Sequence, residues 1–339
     1  MPRVVVFDEF GGPDVMRVVE EPVVEPAVGE VRVRIEAFAV NPLDRMMRSG
    51  TSPTPVPLPH ARLGVEGTGV VDALGPEVTG LKIGDPVILT AVPDASARGS
   101  YAEYTTIPAS QVVGRPAGLG PTEAAAIWVA FSTAYGALVE KAGMRPGDHV
   151  LITAASGGVG RAAIQIANQI GAVPIAVTRH TARRDDLLAA GAAAVITTDR
   201  TDVVEAVRHH TGGTGADIVL DVVMGPGQQD LLKAARPGGT LVAAGFLDPR
   251  PAPFPTGTPL TIFSYRSFEH TLDAVVVNRM AAFLNAGVRL GALWPAIDKV
   301  FALDDVVEAH RHLEKGLHAG RKIVVTTGRA GSENPARRS

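Results

Sequence analysis

The run Val150-Leu151-Ile152-Thr153 passes into Ala154-Ala155-Ser156-Gly157-Gly158-Val159-Gly160 and then into Arg161-Ala162-Ala163-Ile164-Gln165-Ile166. A β-branched strand, a turn of small residues and an amphipathic helix follow one another without a linker. No other feature constrains the fold as much, because strand–turn–helix is half of a βαβ unit, and such units build a parallel sheet. The alternation continues downstream, with strands expected at 173–178, 193–196, 218–221 and 240–245. Helices are expected at 159–170, 183–190, 202–209 and 228–235. Thr122 is a candidate N-cap with Glu123 in the first turn, and opens this half of the chain.

The first third has a different texture. Short strand-like runs at 4–7, 15–19, 30–39, 67–73, 86–89 and 101–107 are separated by Gly11-Gly12-Pro13, Gly29, Gly75-Pro76, Gly84-Asp85 and Gly99. Val31, Val33 and Ile35 alternate with Arg32, Arg34 and Glu36, the period of a half-buried strand. This reads as a compact β-barrel or sandwich. Four prolines make 51–59 an extended loop. Beyond 268 a helix at 272–286, a strand at 297–301, a helix at 304–314 and a strand at 322–326 follow. At roughly 150 residues per domain, 339 residues make two domains. The boundaries expected are 1–121 for a β-rich domain and 122–267 for a doubly wound α/β domain. Residues 268–327 return to the first domain, and 328–339 form a polar, flexible tail.

The glycine turn carries a chemical expectation. Ser156, Gly157, Gly158 and Val159 let backbone approach a pyrophosphate, and the helix start offers unpaired N–H donors and a partial positive charge. A site selective for NADH places an acid at the end of the next strand to hold the ribose 2′-hydroxyl. Here Thr178 is followed by Arg179, His180, Arg183 and Arg184, and no acid comes before Asp185. A guanidinium such as Arg179 forks onto a 2′-phosphate, so the expected cofactor is NADPH.

Composition removes other classes. Thirty-two basic against 35 acidic residues give a net charge of −3, so no basic field draws the chain to nucleic acid or an anionic membrane. No run of 18 apolar residues occurs, and the first ten residues lack a secretory signal pattern. Zero cysteines exclude disulfides, a thiolate nucleophile and a cysteine-built zinc site, and fit a cytoplasmic protein. His209-His210 and the His310/His312 pair have no acid or cysteine placed with them, and read as solvent-facing helix positions.

Gly64-Val65-Glu66-Gly67-Thr68-Gly69-Val70-Val71, Lys82-Ile83-Gly84-Asp85-Pro86-Val87 and Gly99-Ser100-Tyr101-Ala102-Glu103-Tyr104, together with the glycine turn, resemble the medium-chain dehydrogenase/reductase superfamily. The resemblance runs from Val4 to Val325. It implies a GroES-like catalytic domain beside a Rossmann domain, with the nicotinamide between them. In that superfamily's zinc branch a Cys stands where this chain reads Asn41-Pro42-Leu43-Asp44, and a His stands at Val65. The cysteine-bearing lobe is shrunk to 96–101. The chain therefore resembles the zinc-free branch, the zeta-crystallin-like quinone oxidoreductases, with Asn41 to Asp44 and Arg48-Ser49-Gly50 similar to their substrate loop. Two departures stand out: Met46 replaces a Tyr, and Met224 lies where the family favours glycine.

The resemblance implies an NADPH-dependent, zinc-independent reductase that passes hydride to a quinone or an α,β-unsaturated carbonyl. The alternatives are a trans-acting enoyl reductase on a carrier-bound thioester, and a non-catalytic NADPH-binding protein. The implied catalytic residues are Asn41, whose amide would bond the acceptor carbonyl, and Asp44 as nearest ionisable group. A loop Asp capping the following helix is the competing role for Asp44. Thr133, Tyr135, Gly245, Phe246 and Lys322 are implied cofactor contacts beside Ser156 to Val159, Thr178, Arg179 and Arg184. No metal is expected. The apolar run 260–263 is expected to pair two copies into a homodimer.

Overall fold

The computed structural model describes residues 1–90, 92, 94–252, 260–316 and 318–328. The tail expected at 328–339 lies outside the described residues from 329 on. Two compact units form, one from Met1–Trp128 with Pro295–Ser339, the other from Val129–Trp294.

The first unit is built on the strand Glu30–Val40. Val31, Val33, Ile35 and Ala37 face inward and the charged residues between them face outward, as the period-two pattern requires. It pairs antiparallel with Gly67–Leu74, with Tyr104–Pro108 and with the final strand Lys322–Thr326, which in turn pairs parallel with Ile297–Ala302. Pro86–Leu89 and Val112–Gly114 extend the sheet, and Arg3–Phe7 holds Arg17–Glu20 and Ala61–Arg62 in a smaller one. Met16 leads into Arg17–Glu20, while the preceding Pro13–Val15 is a helical turn fixed by proline at its start.

The second unit holds a six-stranded, all-parallel sheet. From one edge the order is Ala194–Thr197, Val173–Thr178, His149–Ile152, Ala216–Asp221, Ala235–Ala243 and Thr261–Ser264. Chain order therefore reverses between His149–Ile152 and Ala216–Asp221, the switch point of a doubly wound fold, where ligands gather at the strand carboxyl ends. Helices Gly158–Ile170, Arg184–Ala189, Val203–His210 and Gln228–Ala234 complete the crossovers, and Asp202 caps the third by accepting from Glu205 N at 2.9 Å.

Four expectations change. The helix expected from Thr122 begins at Pro121, because proline is pre-shaped for the first helical position, and it runs to Tyr135 before a wider-wound turn at Gly136–Lys141. Pro121–Lys141, although no unbroken apolar run, is long and apolar enough by length and composition to cross a membrane, but 78% of its most apolar window is buried within the protein. Pro237-Gly238-Gly239, which falls between the expected helix at 228–235 and strand at 240–245, is a bulge within Ala235–Ala243: the partner advances two residues, from Ala216 to Ile218, while this strand advances five, from Ala235 to Thr240.

The return to the first unit comes at Pro295, not at 268. Helix Ala274–Arg289, capped by Asp273, stays with the second unit through an Arg279–Glu140 ion pair at 2.8 Å and a Phe283–Tyr135 ring contact at 4.9 Å.

Candidate active site

Sheet register assembles a polar cluster in the first unit. Ile323 pairs with Val40 and Gly67 with Phe38, so Lys322, Asn41 and Glu66 come together at one end of three neighbouring strands. Glu66 is fully buried, and its Oε1 accepts from Asn41 Nδ2 at 2.9 Å and from the Lys322 ammonium. Lys322 Nζ also donates to Asn41 Oδ1 at 2.7 Å. The second Asn41 amide hydrogen goes to Ala39 O at 3.2 Å. Both amide hydrogens are thus committed, which corrects the expectation that Asn41 offers one to an acceptor carbonyl. An ammonium has three hydrogens, and two of those on Lys322 have partners among the described residues.

Asn41 is also the N-cap of helix Pro42–Ser49. Asp44, at the third helical position, returns a carboxylate oxygen to Asn41 N at 2.8 Å, half of a capping box. Its other oxygen accepts from Gly64 N at 3.1 Å. Asp44 therefore has the capping role, from inside the helix, and is fully buried. Burial pushes its carboxyl up to about 7, and the charge of Glu66 adds to this; the Asn41 amide, Lys322 and the Tyr101 hydroxyl pull the other way.

Tyr101, expected to be a strand packing residue, precedes its strand and stacks on Phe38 with ring centroids 4.1 Å apart. Its hydroxyl lies 3.1 Å from His310 Nε2. His310 corrects a second expectation. It is fully buried, because Val306, Ala309 and His310 form the inward face of helix Val306–Glu314. Burial, with the Arg48 charge nearby, lowers its imidazole to about 3, so it is neutral. His312 bonds Asp298 at 2.7 Å, while His209 and His210 are exposed as expected. Arg48, also fully buried, donates to Gly11 O at 2.7 Å and pairs with Glu314.

These donors do not fit tetrahedral zinc. The chain has no cysteine, Val65 offers no ligand, and an ammonium already occupies the carboxylate and amide oxygens that converge. His60 bonds Glu21 at 2.7 Å, away from Asp44 and Glu66 in the bonding pattern.

In the second unit the glycine turn fits a dinucleotide. Ser156, Gly157, Gly158 and Val159 are only half-buried, and Gly157 caps the helix without a side chain over its first N–H groups. A Cβ on Gly160 would lie 2.5 Å from Ala155 Cα, so this glycine lets helix and turn touch. Thr178 is buried at its strand end and Arg179 is exposed beside it. Arg184 donates to Val195 O at 3.0 Å. An acid does stand nearby, on the following strand's exit: Asp199 accepts from Thr181 N at 3.4 Å.

Gly245 approaches its neighbour closely, since a Cβ there would lie 2.3 Å from Val222 O, and Phe246 is exposed. Thr133 bonds back to Val129 O at 2.6 Å, and Tyr135 packs on Phe283. Met224 takes the left-handed conformation, φ 60°, which accounts for glycine being favoured there; Asp221 holds its N–H at 3.1 Å.

Sequence reasoning missed Glu66, Tyr101, His310 and Arg48 as one group. The available signal was Glu66 between Gly64 and Gly67, an acid among small and apolar residues.

Two family models match, "Alcohol dehydrogenase GroES-like domain" over residues 27–117 and "Zinc-binding dehydrogenase" over 158–279. Quinone oxidoreductase of Lama guanicoe is 30% identical over 332 residues, covering 95% of this chain and 97% of that protein. The chain belongs to the quinone oxidoreductase family. It is an oxidoreductase of the medium-chain dehydrogenase/reductase superfamily. Among solved structures, this quinone oxidoreductase family member is similar to Escherichia coli quinone oxidoreductase complexed with NADPH, with a TM-score of 0.86 and 26% identity, covering 96% of this chain and 100% of that one. It is also similar to an NAD-dependent alcohol dehydrogenase, with a TM-score of 0.83 and 33% identity, at the same coverages.

Proposed function

We propose that this chain is an NADPH-dependent, zinc-independent reductase of quinones or activated enones. The observation that carries the reading is the buried Asn41–Glu66–Lys322 cluster, which holds an internal ammonium where the superfamily's other branch has metal ligands. When bound, the nicotinamide supplies a hydride, and the acceptor also takes a proton to become a hydroquinone or a saturated carbonyl. The chain's part is to orient and to stabilise charge. Glu66 and Asn41 fix the Lys322 ammonium, whose third hydrogen is the donor for an acceptor oxygen that becomes negative as hydride arrives. Asp44 is sealed from the acceptor and acts beneath it.

Ser156 to Val159 receive the pyrophosphate on the helix N-terminus, with Gly245 and Phe246 toward the nicotinamide, Thr133 and Tyr135 toward its ribose, and Thr178, Arg179 and Arg184 toward the 2′-phosphate. The similarity to the NADPH-complexed E. coli enzyme and the exposed Arg179 support NADPH. We further infer a homodimer formed through strand Thr261–Ser264, the open edge of the parallel sheet.

The test is a titration with NADPH and NADH, followed by cofactor oxidation with benzoquinone, phenanthrenequinone and an aliphatic enone, each with and without chelator. Preference for NADPH that Arg179→Ala removes, chelator-insensitive turnover, and a loss of about a hundredfold in kcat/KM in Lys322→Met are expected. Equal use of NADH, or inhibition by chelator, overturns the reading. Turnover confined to an enoyl thioester moves the chain to the enoyl reductases.

A further inference from the structure

We propose that Asp44 is a positioning residue that fixes Asn41 and, through Asn41, the Lys322 ammonium. It rests on the reading above that Asn41 and Lys322 serve hydride transfer. Two backbone donors converge on the Asp44 carboxyl, the N–H groups of Asn41 and Gly64, one on each oxygen. They come from two separate parts of the first unit, so one carboxylate ties the end of Glu30–Val40 to the entry to Gly67–Leu74.

A carboxylate satisfies both donors. A carboxylic acid cannot, because one of its oxygens becomes a donor itself and faces another donor. Proton uptake therefore loosens the hold on Asn41 N, and Asn41 is what Lys322 leans on.

His310 sets the polarity of this arrangement. Its Nδ1 is buried and unpartnered. With the proton on Nε2, His310 donates to the Tyr101 oxygen, the bare Nδ1 leaves only a lone pair unmet, and the Tyr101 hydroxyl hydrogen is left to favour the ionised Asp44 carboxyl. The reverse polarity would bury an unpaired N–H, the worse outcome. Other charges facing Asp44 are Glu66, which opposes its ionisation, and Lys322, which favours it; Arg48 faces the Tyr101–His310 pair.

The experiment is the pH dependence of kcat and of KM for NADPH and for a quinone, from about pH 5 to about pH 9, in wild type, Asp44→Asn, Tyr101→Phe and Lys322→Met. In the wild type kcat falls on the acid side with a midpoint near 7. Tyr101→Phe removes a hydroxyl that favours the ionised carboxyl and moves that midpoint to higher pH. Asp44→Asn abolishes the acid limb and leaves a low, flat kcat with KM for NADPH little changed. An acid limb that Tyr101→Phe does not move, or that survives in Asp44→Asn, overturns the proposal. Tyr101→Phe keeps the ring on Phe38, so it decides the matter if Asp44→Asn does not fold. Unchanged kcat in Lys322→Met means the underlying functional reading has failed; a lowered kcat beside an unmoved limb means that only the positioning role has.

Discussion

Asp44 and His310 are both fully buried in the first unit and titrate in opposite senses. Asp44 is raised from 3.8 to about 7 and His310 lowered from 6.5 to about 3. Alone, Asp44 makes stability fall as pH rises from about 4 to 7, since the native state holds a proton that the unfolded state has lost. Alone, His310 makes stability rise from about 3 to 6.5, since the unfolded state gains a proton that the native state refuses. Between about 4 and 6.5 the two proton counts cancel. His310→Gln removes one side of this balance while an amide N–H remains for Tyr101. Its stability from urea unfolding is expected to decline over that pH range relative to wild type; parallel profiles would show that these two groups do not carry the dependence. Asn41 and Lys322 were legible from motif positions. His310 was not, because nothing in Ala309-His310-Arg311-His312 says which side of the helix meets Tyr101.

At the scale of elements, the strand–turn–helix unit is held by backbone contact. The position a Cβ would take on Gly160 is 2.5 Å from Ala155 Cα and 2.8 Å from Ala154 O, and no side-chain rotation relieves either. Gly160→Ala is expected to cost about 1–3 kcal/mol, seen as a lower urea midpoint, and to weaken NADPH binding by displacing the turn from the helix start. Unaltered binding would place the cofactor elsewhere.

The strands Val173–Thr178 and Lys322–Thr326 were read to their ends, because β-branched runs are bounded there by a glycine or a change of charge. Helix Pro42–Ser49 was not delimited. Its Pro-Leu-Asp-Arg-Met-Met-Arg-Ser sequence is short, and its buried Asp44 and Arg48 break the apolar period.

For the whole molecule, the open edge of the parallel sheet carries the assembly prediction. Among the described residues strand Thr261–Ser264 pairs on one side only, and Ile262 is 41% exposed on it. Light scattering is expected to give a dimer, and Ile262→Lys a monomer or a weaker dimer; a monomeric wild type sinks the idea. The domain boundary also belongs to this scale. Helix Ala274–Arg289 looks like the start of the returning segment when only composition is read, and Arg279, Phe283 and the Asp273 cap draw it to the second unit instead.

The sequence by itself determined the doubly wound sheet, the β-rich partner and the glycine turn. Each follows from periodicity and from small residues adjacent in the chain, so local sterics and burial specify them. It also determined that no cysteine-built zinc site forms, since the chain has no cysteine. Tertiary structure decided which groups act together. Asn41, Glu66 and Lys322 are up to 281 positions apart and meet only because three strands pair in one register. Tyr101 and His310, 209 positions apart, meet only when the final helix packs inward. Burial and opposed charge, which exist only in the folded chain, then place Asp44 near neutrality and keep His310 uncharged.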